Sequence, residues 1–280
     1  YSDPNTSPHF MFSGKPYRLG YYGLGILCFA FTRHILRDAK KQGYKKLLFL
    51  SRDAYILHKC YEQVTSSDPA APTAHYVYSS RRSYSVAALE SLSDIYSLLN
   101  VPFAECSVAD LLLSRFGLSS ETIEQFENES IQRTGFKSLT DTVRVTNAEH
   151  KQQLRQILKL LEKDILANAK RERENFSSYL EQEGITVDDR TAIVDIGYAA
   201  TSQRYLSKLT QARVGGYYLI TRLEASDYEH EGFYINAFLG NYVDHRNQQD
   251  HPFFRYTMMF ESVFSSQEDS LIRFVQDSSE

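Results

Sequence analysis

Three segments of the chain place charged and hydroxyl side chains directly after a short apolar run. The first is Ser-Arg-Asp at 51–53, the second is Ser-Ser-Arg-Arg at 79–82, and the third begins with Asp195 in TAIVDIGYAATSQRYLSKL, residues 191–209. The planar guanidinium of arginine donates paired hydrogen bonds to a phosphate. A carboxylate accepts hydrogen bonds from sugar hydroxyls or holds Mg²⁺ on a diphosphate. These side-chain types therefore indicate a sugar-phosphate ligand.

The order of the secondary-structure elements tells us how such clusters could meet. Strands are expected at 45–53, 75–80, 191–197 and 213–222, separated by segments with helical spacing. This alternation predicts an α/β fold with a Rossmann-like, mostly parallel sheet. Ligands of such sheets bind outside the carboxyl ends of the strands. If the first three strands are parallel neighbours, all three clusters face one crevice.

The third cluster continues into a predicted helix at 202–209. The free backbone N–H groups at a helix N-terminus favour a phosphate, and Thr201 and Ser202 would add hydroxyl donors there. On these grounds the predicted substrate-binding residues are Ser51, Arg52, Arg81, Arg82, Asp195, Gly197, Tyr198, Thr201, Ser202 and Gln203.

Each cluster taken alone also has an ordinary structural explanation. Asp195 would serve equally well as a helix cap, and Arg52 with Asp53 as a structural ion pair. Arg81 and Arg82 could be solvated surface. The repetition at three strand ends is what favours a shared anion site.

The domain organisation follows from shifts in composition. Residues 1–19 are polar and contain three prolines, which predicts a linker or tail. Residues 20–275 are expected to form one α/β domain, interrupted by a helical insertion at about 104–183 because that block has helical spacing throughout.

Composition and motifs exclude several classes of protein. The net charge of −4 provides no broad basic surface for nucleic acid. Three cysteines without a spacing pattern argue against disulfides or zinc and favour a reducing cytoplasm. The apolar run at 23–31 is too short to span a bilayer. The phosphate-binding P-loop, the dinucleotide-binding glycine pattern and the serine-hydrolase elbow are absent from the sequence.

Four motifs in this order resemble one family of bacterial proteins: LLFLSRDAYIL, YVYSSRRS, AIVDIGYAATSQ and FESVFSSQEDSLIRF. They are similar to the glycan phosphoribosyltransferase domain of dual-domain ribofuranosyltransferases, whose members are often described as haloacid-dehalogenase-like hydrolases of polysaccharide biosynthesis. The resemblance covers about residues 14–275. It implies transfer of 5-phosphoribose from phosphoribosyl diphosphate to a glycan acceptor, with release of pyrophosphate. A companion phosphatase domain then removes the 5-phosphate.

The resemblance also implies partners and a location. The partners are phosphoribosyl diphosphate, a glycan acceptor, and a haloacid-dehalogenase-like phosphatase domain or other glycosyltransferases, with Mg²⁺ accompanying the diphosphate. The implied location is the cytoplasm, with peripheral attachment at the inner membrane beside polysaccharide assembly enzymes.

Site residues carry over from the family position by position. The matching positions are Arg52, Asp53, Arg81, Arg82, Asp195, Gly197, Thr201, Gln203 and Glu261. By analogy with ordinary phosphoribosyltransferases, Asp195 would hold the ribose hydroxyls and the 197–203 turn the 5-phosphate. Asp53 is the first candidate for the general base that accepts the proton of the acceptor hydroxyl, and Glu261 is the second.

The chain departs from the family pattern at three places. Ala200 replaces a glycine, Tyr198 replaces an aromatic residue that is usually tryptophan, and Ser-Ser-Gln-Glu-Asp-Ser at 265–270 replaces a turn containing proline and glycine. The last change puts acidic charge near the expected anion site. Two other functions therefore stay open: a non-catalytic module that binds a glycan or a partner, and a phosphatase-type hydrolase, although the Asp-x-Asp pattern of the latter is missing.

Overall fold

The structure is a computed structural model that describes residues 15–101, 103–144, 147–244, 246 and 252–276. The chain divides into two compact units. The sheet unit comprises Tyr1–Ser79 and Val187–Ser270, and the helical unit comprises Ser80–Thr186 and Leu271–Glu280. The predicted insertion at 104–183 lies inside the helical unit, whose first boundary comes earlier, at Ser80. Residues 1–14 of the predicted tail lie outside the described residues, whereas Pro16–Leu19 is helical.

Among the described residues, the strands are β1 (Lys46–Leu50), β2 (Thr73–Val77), β3 (Cys106–Ser107), β4 (Thr142–Val143), β5 (Thr191–Asp195), β6 (Gly215–Tyr218) and β7 (Ile235–Ala237). The α-helices are α1 (Pro16–Leu19), α2 (Gly25–Gln42), α3 (Tyr55–Thr65), α4 (Arg81–Ala87), α5 (Leu92–Ser97), α6 (Val108–Phe116), α7 (Ser120–Ser130), α8 (Ala148–Leu160), α9 (Glu162–Gln182), α10 (Thr201–Thr210), α11 (Ser226–His230), α12 (Pro252–Arg255) and α13 (Thr257–Phe264). A π-helical turn, Gly20–Leu24, joins α1 to α2, and short 3-10 turns occur at Leu98–Asn100, Ile131–Arg133 and Leu223–Ala225.

The sheet unit contains a five-stranded parallel sheet in the order β2-β1-β5-β6-β7. Counted within this unit alone, the order is 2-1-3-4-5, one of the two common doubly wound arrangements. The predicted Rossmann-like α/β fold is therefore confirmed. The edge strand β7 was not predicted, because its segment FYINAF looks like an aromatic loop in the sequence. In the sheet, β7 pairs with β6.

The central strands form because their sequences suit burial on both faces. KLLFL in β1 and TAIVD in β5 are nearly continuous apolar runs, as expected for a parallel sheet covered by helices. Phe31 of α2 and Leu57 of α3 pack in the same buried cluster as Phe49 and Val194. The sheet is thus held by its own core, which fixes the carboxyl ends of its strands.

The helical unit is built from α4 to α9 around a separate apolar core, together with the small antiparallel pair of β3 and β4. Five of its helices begin after a polar residue whose side chain accepts a hydrogen bond from the first turn: Ser80, Ser91, Ser107, Ser119 and Asn147. The sequence at 83–100 has the spacing of one helix, but this region forms two, α4 and α5. The sequence at 253–266 likewise has the spacing of one helix, and this region forms α12 and α13.

His58 makes the stability of the sheet unit sensitive to acid. Its ring is 7 % exposed, packs against Phe49 and Tyr76, and lies 3.8 Å from the Glu62 carboxylate. Burial disfavours the imidazolium and holds the pKa of His58 below its usual value, an effect that Glu62 opposes only in part. Below about pH 6.5, His58 therefore binds a proton more readily in the unfolded chain than in the folded one. We expect the free energy of unfolding to decrease as the pH is lowered.

We expect His58→Phe to flatten this dependence between pH 6.5 and 5, because phenylalanine keeps the ring contacts and cannot charge. Urea unfolding at several pH values measures the slope. His230→Phe, at an exposed position of the same unit, is the control and should keep the wild-type slope. An unchanged slope in His58→Phe would show that another group causes the acid sensitivity.

Candidate functional site

The carboxyl ends of β1, β2 and β5 lie side by side in the sheet unit, as predicted. β1 pairs in parallel register with both of the other strands. The chain leaves β1 toward β2 on one side and returns to β5 on the other, so the order of the strands reverses between β1 and β5. Doubly wound sheets bind their ligands at this switch point. The residues that follow β1 and β5 are therefore the candidates for a site.

Ser51 holds the ends of β1 and β2 together. Its hydroxyl donates to the Ser79 carbonyl at 3.1 Å and accepts from the Ser79 backbone N–H at 2.9 Å. The Ser79 hydroxyl in turn donates to the Ser51 carbonyl. The Ser51 O–H is thus used inside the protein, so the structure gives it a positioning role rather than the predicted contact with substrate.

Arg52 and Asp53 are held by the segment at 265–268. The Ser266 N–H donates to the Arg52 carbonyl at 3.1 Å, and Arg52 Nη1 donates to the Glu268 carbonyl at 3.2 Å. The Ser265 hydroxyl donates to Asp53 Oδ1 at 2.5 Å. This segment therefore contacts both residues on which a donor site would depend.

The acidic charge of that segment is also bound within the sheet unit. The Glu268 carboxylate accepts hydrogen bonds from the hydroxyls of Tyr76 and Ser266, and its second oxygen lies 3.5 Å from the Tyr78 hydroxyl. Together with burial, this contact raises the pKa of Tyr76 above its usual range. Only the backbone carbonyl of Glu268 reaches Arg52.

Tyr198 connects the end of β5 to α13. Its ring is buried, and its hydroxyl donates to Glu261 Oε1 at 2.9 Å. Burial raises the pKa of Tyr198 well above its usual value, and the carboxylates of Glu261, Asp195 and Asp53 raise it further. The phenol therefore stays protonated and remains a hydrogen-bond donor to Glu261.

Arg222 places a cation against the ring of Tyr198. Its guanidinium stacks over the Tyr198 ring at 4.7 Å and over Phe254 at 5.4 Å. Its backbone N–H donates to the Tyr198 carbonyl, while its buried Nε has no hydrogen-bond partner among the residues that the structure describes. Sequence reasoning missed this residue, although it follows the apolar run of β6 just as Arg52 follows that of β1.

The turn between β5 and α10 is shaped by two small residues. A Cβ on Gly197 would lie 2.6 Å from the Ile220 carbonyl oxygen, so only glycine fits there. Ala200 adopts φ +56°, a left-handed conformation that glycine adopts more readily than alanine. The Ser51–Arg52 and Gly197–Tyr198 peptide bonds are both cis.

The N-terminus of α10 is compatible with an anion. Ala200 stands at the cap position and has no side-chain oxygen for the first N–H groups of the helix. Thr201 and Ser202, in its first turn, are both half-buried. The predicted phosphate-binding turn therefore lies next to Tyr198, with its helix dipole oriented as an anion requires.

Three predicted substrate-binding residues are placed differently. The Gln203 side chain is buried, donates to the Val214 and Tyr234 carbonyls, and accepts from the Tyr218 hydroxyl, so it serves the core. Arg81 is exposed in the first turn of α4, in the helical unit. Arg82, in the same unit, forms a buried ion pair with Glu172.

Asp53 and Asp195 are the residues suited to Mg²⁺. No group of three or more His, Cys, Asp or Glu side chains suited to a metal occurs among the described residues. Magnesium often uses only one or two carboxylates and takes its other ligands from substrate phosphates and water. Asp195 ends β5 and Asp53 follows the neighbouring strand β1, so both stand at the same edge of the sheet and suit this second mode of binding.

Comparison with known proteins adds no family assignment, because neither a family model nor a curated protein matches the chain.

Proposed function

We propose that the chain is a glycosyltransferase of the phosphoribosyl type, which moves 5-phosphoribose from phosphoribosyl diphosphate to a glycan acceptor. The resemblance of its four motifs to glycan phosphoribosyltransferase domains suggests the reaction. The observation that carries the proposal is the meeting of β1 and β5 at the switch point of the sheet, where Asp195 ends β5 and Asp53 follows β1. There α13 is tied to both, because Glu261 accepts from the Tyr198 hydroxyl and Ser265 donates to Asp53. Surface-polysaccharide biosynthesis is the proposed role.

The donor is bound through its charges. Arg52 and Arg222 neutralise the diphosphate, and the N-terminus of α10 holds the 5-phosphate with the hydroxyls of Thr201 and Ser202. Asp195 accepts hydrogen bonds from the ribose hydroxyls. Mg²⁺ held by Asp195 would supply further positive charge to the diphosphate and leave Asp53 free of the metal. Preorganised charge of this kind stabilises the leaving group as it departs.

The transfer breaks the bond between the anomeric carbon and the diphosphate oxygen and forms a bond from that carbon to the acceptor oxygen. The acceptor hydroxyl gives its proton to a carboxylate. Glu261 already accepts a hydrogen bond from the Tyr198 hydroxyl, which ties it to holding that buried phenol. Asp53 lies in the turn after β1, where Ser265 holds its Oδ1, so we assign it the role of general base and give Glu261 the role of orienting Tyr198.

Arg52→Ala is expected to weaken turnover on the order of 100-fold, because it removes a charge that stabilises the diphosphate. Isothermal titration with phosphoribosyl diphosphate, with and without Mg²⁺, measures the accompanying loss of binding. Arg144→Ala is the matched control, since this arginine is exposed and paired with Glu105 in the helical unit. Wild-type turnover in Arg52→Ala would contradict the assigned role.

The same titration tests the proposed function itself. A folded wild-type chain that does not bind the donor at millimolar concentration would contradict the transferase assignment. The contact of Arg52 with the Glu268 carbonyl would then favour the non-catalytic module.

A further inference from the structure

The N-terminal helix of the sheet unit projects an apolar surface that no other part of the described chain covers. The helix runs without interruption from Pro16 to Gln42 through α1, the π-helical turn and α2. From Cys28 onward its inner face joins the core, whereas residues 15–22 are all exposed. The large apolar side chains exposed on this helix are Tyr17, Leu19, Tyr21, Tyr22, Ile26 and Phe29. We call these six residues the N-terminal apolar surface.

The exposure of these side chains is high for aromatic and aliphatic residues. Tyr17 is 77 % exposed, Tyr21 63 % and Ile26 62 %. Contiguous exposed apolar side chains in a soluble protein indicate a surface that contacts something else. Three of the six are tyrosines, whose amphipathic rings suit the boundary between lipid and water.

The charge of the segment selects the kind of partner. Between Asp3 and Asp38 the sequence has four Lys and Arg residues and no Asp or Glu, although the chain as a whole has a net charge of −4. Lys15 and Arg18 flank the first turn of α1, where the helix dipole is already positive. Cations at this end destabilise a helix in water, and an anionic surface removes that penalty. Symmetric pairing with a second copy would instead bring like charges together.

Within the described residues, the exposed part of this helix is shorter than a transmembrane span. By length and composition alone, the 27-residue helix Pro16–Gln42 could cross a bilayer. The apolar run at 23–31, which by itself is too short for a span, is only part of that helix. Its later half, however, is packed in the core through Phe31, Ile35 and Ala39. The remaining residues 15–27 extend about 20 Å at 1.5 Å per residue, less than the roughly 30 Å of a hydrocarbon core. Such a segment lies in the interface instead.

We propose that residues 15–29 bind the surface of an anionic lipid bilayer, with the N-terminal apolar surface in the headgroup region and Lys15 and Arg18 against the lipid charges. The inference is independent of the proposed transferase activity. It assigns the sheet unit a membrane-binding element that holds the protein at a lipid surface.

Vesicle co-sedimentation of the full chain tests this proposal. Vesicles of phosphatidylcholine that contain about 30 % phosphatidylglycerol, which gives an anionic surface, are compared with vesicles of pure phosphatidylcholine. We expect binding to the anionic vesicles that weakens with salt. Lys15→Gln with Arg18→Gln should lower the partition coefficient on the order of tenfold, and Tyr21→Ser with Tyr22→Ser and Ile26→Ser should abolish binding.

Matched controls are Leu113→Ser and Leu160→Ser, which remove exposed leucines of the helical unit and should leave binding unchanged. Circular dichroism checks that each variant is folded. Equal sedimentation of the triple variant and the wild type would overturn the proposal. Failure of the wild-type chain to bind anionic vesicles would also overturn it. So would dimerisation of the wild type in sedimentation velocity that the triple variant loses, because that result would assign the surface to a second copy.

Discussion

Asp53→Asn is expected to lower the turnover of the proposed transferase on the order of a thousandfold while leaving the fold intact, because an amide cannot take the proton of the proposed acceptor hydroxyl. Asparagine has the same shape and keeps an oxygen to accept the hydrogen bond from the Ser265 hydroxyl. The turn after β1 should therefore be preserved. Single-turnover kinetics with a synthetic glycan acceptor and phosphoribosyl diphosphate would measure the effect, and circular dichroism would check the fold.

Two companion variants separate the possible roles of Asp53. Ser265→Ala removes the hydrogen bond and keeps the carboxylate, so a loss well below that of Asp53→Asn is expected. Glu261→Gln keeps an acceptor for the Tyr198 hydroxyl and should be the milder of the two carboxylate changes. If Asp53→Asn instead reduced only Mg²⁺-dependent donor binding, Asp53 would be a metal ligand. If Glu261→Gln were the more damaging change, Glu261 would be the base.

The sheet and the position of its carboxyl edge could be predicted because local sequence determines them. A strand covered on both faces needs apolar side chains throughout, and polar side chains collect where it ends. β1 and β5 satisfy both conditions. The same rule would also identify Arg222 as a residue that follows a strand. However, the apolar run before Arg222 continues to Ile220, beyond the end of β6 at Tyr218. The prediction therefore assigned Arg222 to the strand itself.

Gln203 could not be placed from sequence, because its surroundings come from distant parts of the chain. Its side chain fills the space left by Gly216, where a Cβ would lie 2.3 Å from its amide oxygen. The carbonyl acceptors come from Val214 and Tyr234. Local sequence shows only a polar residue near a helix N-terminus, a pattern shared by ligand-binding and core residues.

The boundary of the helical unit was missed for a similar reason. Helical spacing at 83–100 is the same whether a helix packs on the sheet or on other helices. A helix belongs to the unit in whose core its apolar side chains pack. Val86, Leu89 and Ile95 pack in the core of the helical unit. Arg82 lies in the same unit, where it pairs with Glu172, whereas the sequence predicts that it binds phosphate.

Arg82→Ala is expected to lower the free energy of unfolding of the helical unit by about 3–5 kcal/mol, because it leaves a buried carboxylate without its counter-ion. The Glu172 side chain is 5 % exposed and the Arg82 side chain 18 %. Arg82 also donates to the Ile272 carbonyl, and Asn168 donates to Glu172 Oε1. Gly117, at φ +70°, leaves room for this cluster, since a Cβ there would meet all three side chains. Urea unfolding followed by circular dichroism measures the loss.

The double variant Arg82→Met with Glu172→Met distinguishes a coupled ion pair from two independent contributions. Replacing both charges by apolar side chains removes the uncompensated carboxylate, so the double variant should be more stable than Arg82→Ala alone. A loss equal to or greater than that of the single variant would contradict the coupling. Transferase turnover of the folded double variant tests the remaining alternative. It should match the wild type if Arg82 is structural, whereas a fall on the order of 100-fold would restore the diphosphate contact that the sequence predicts for Arg82.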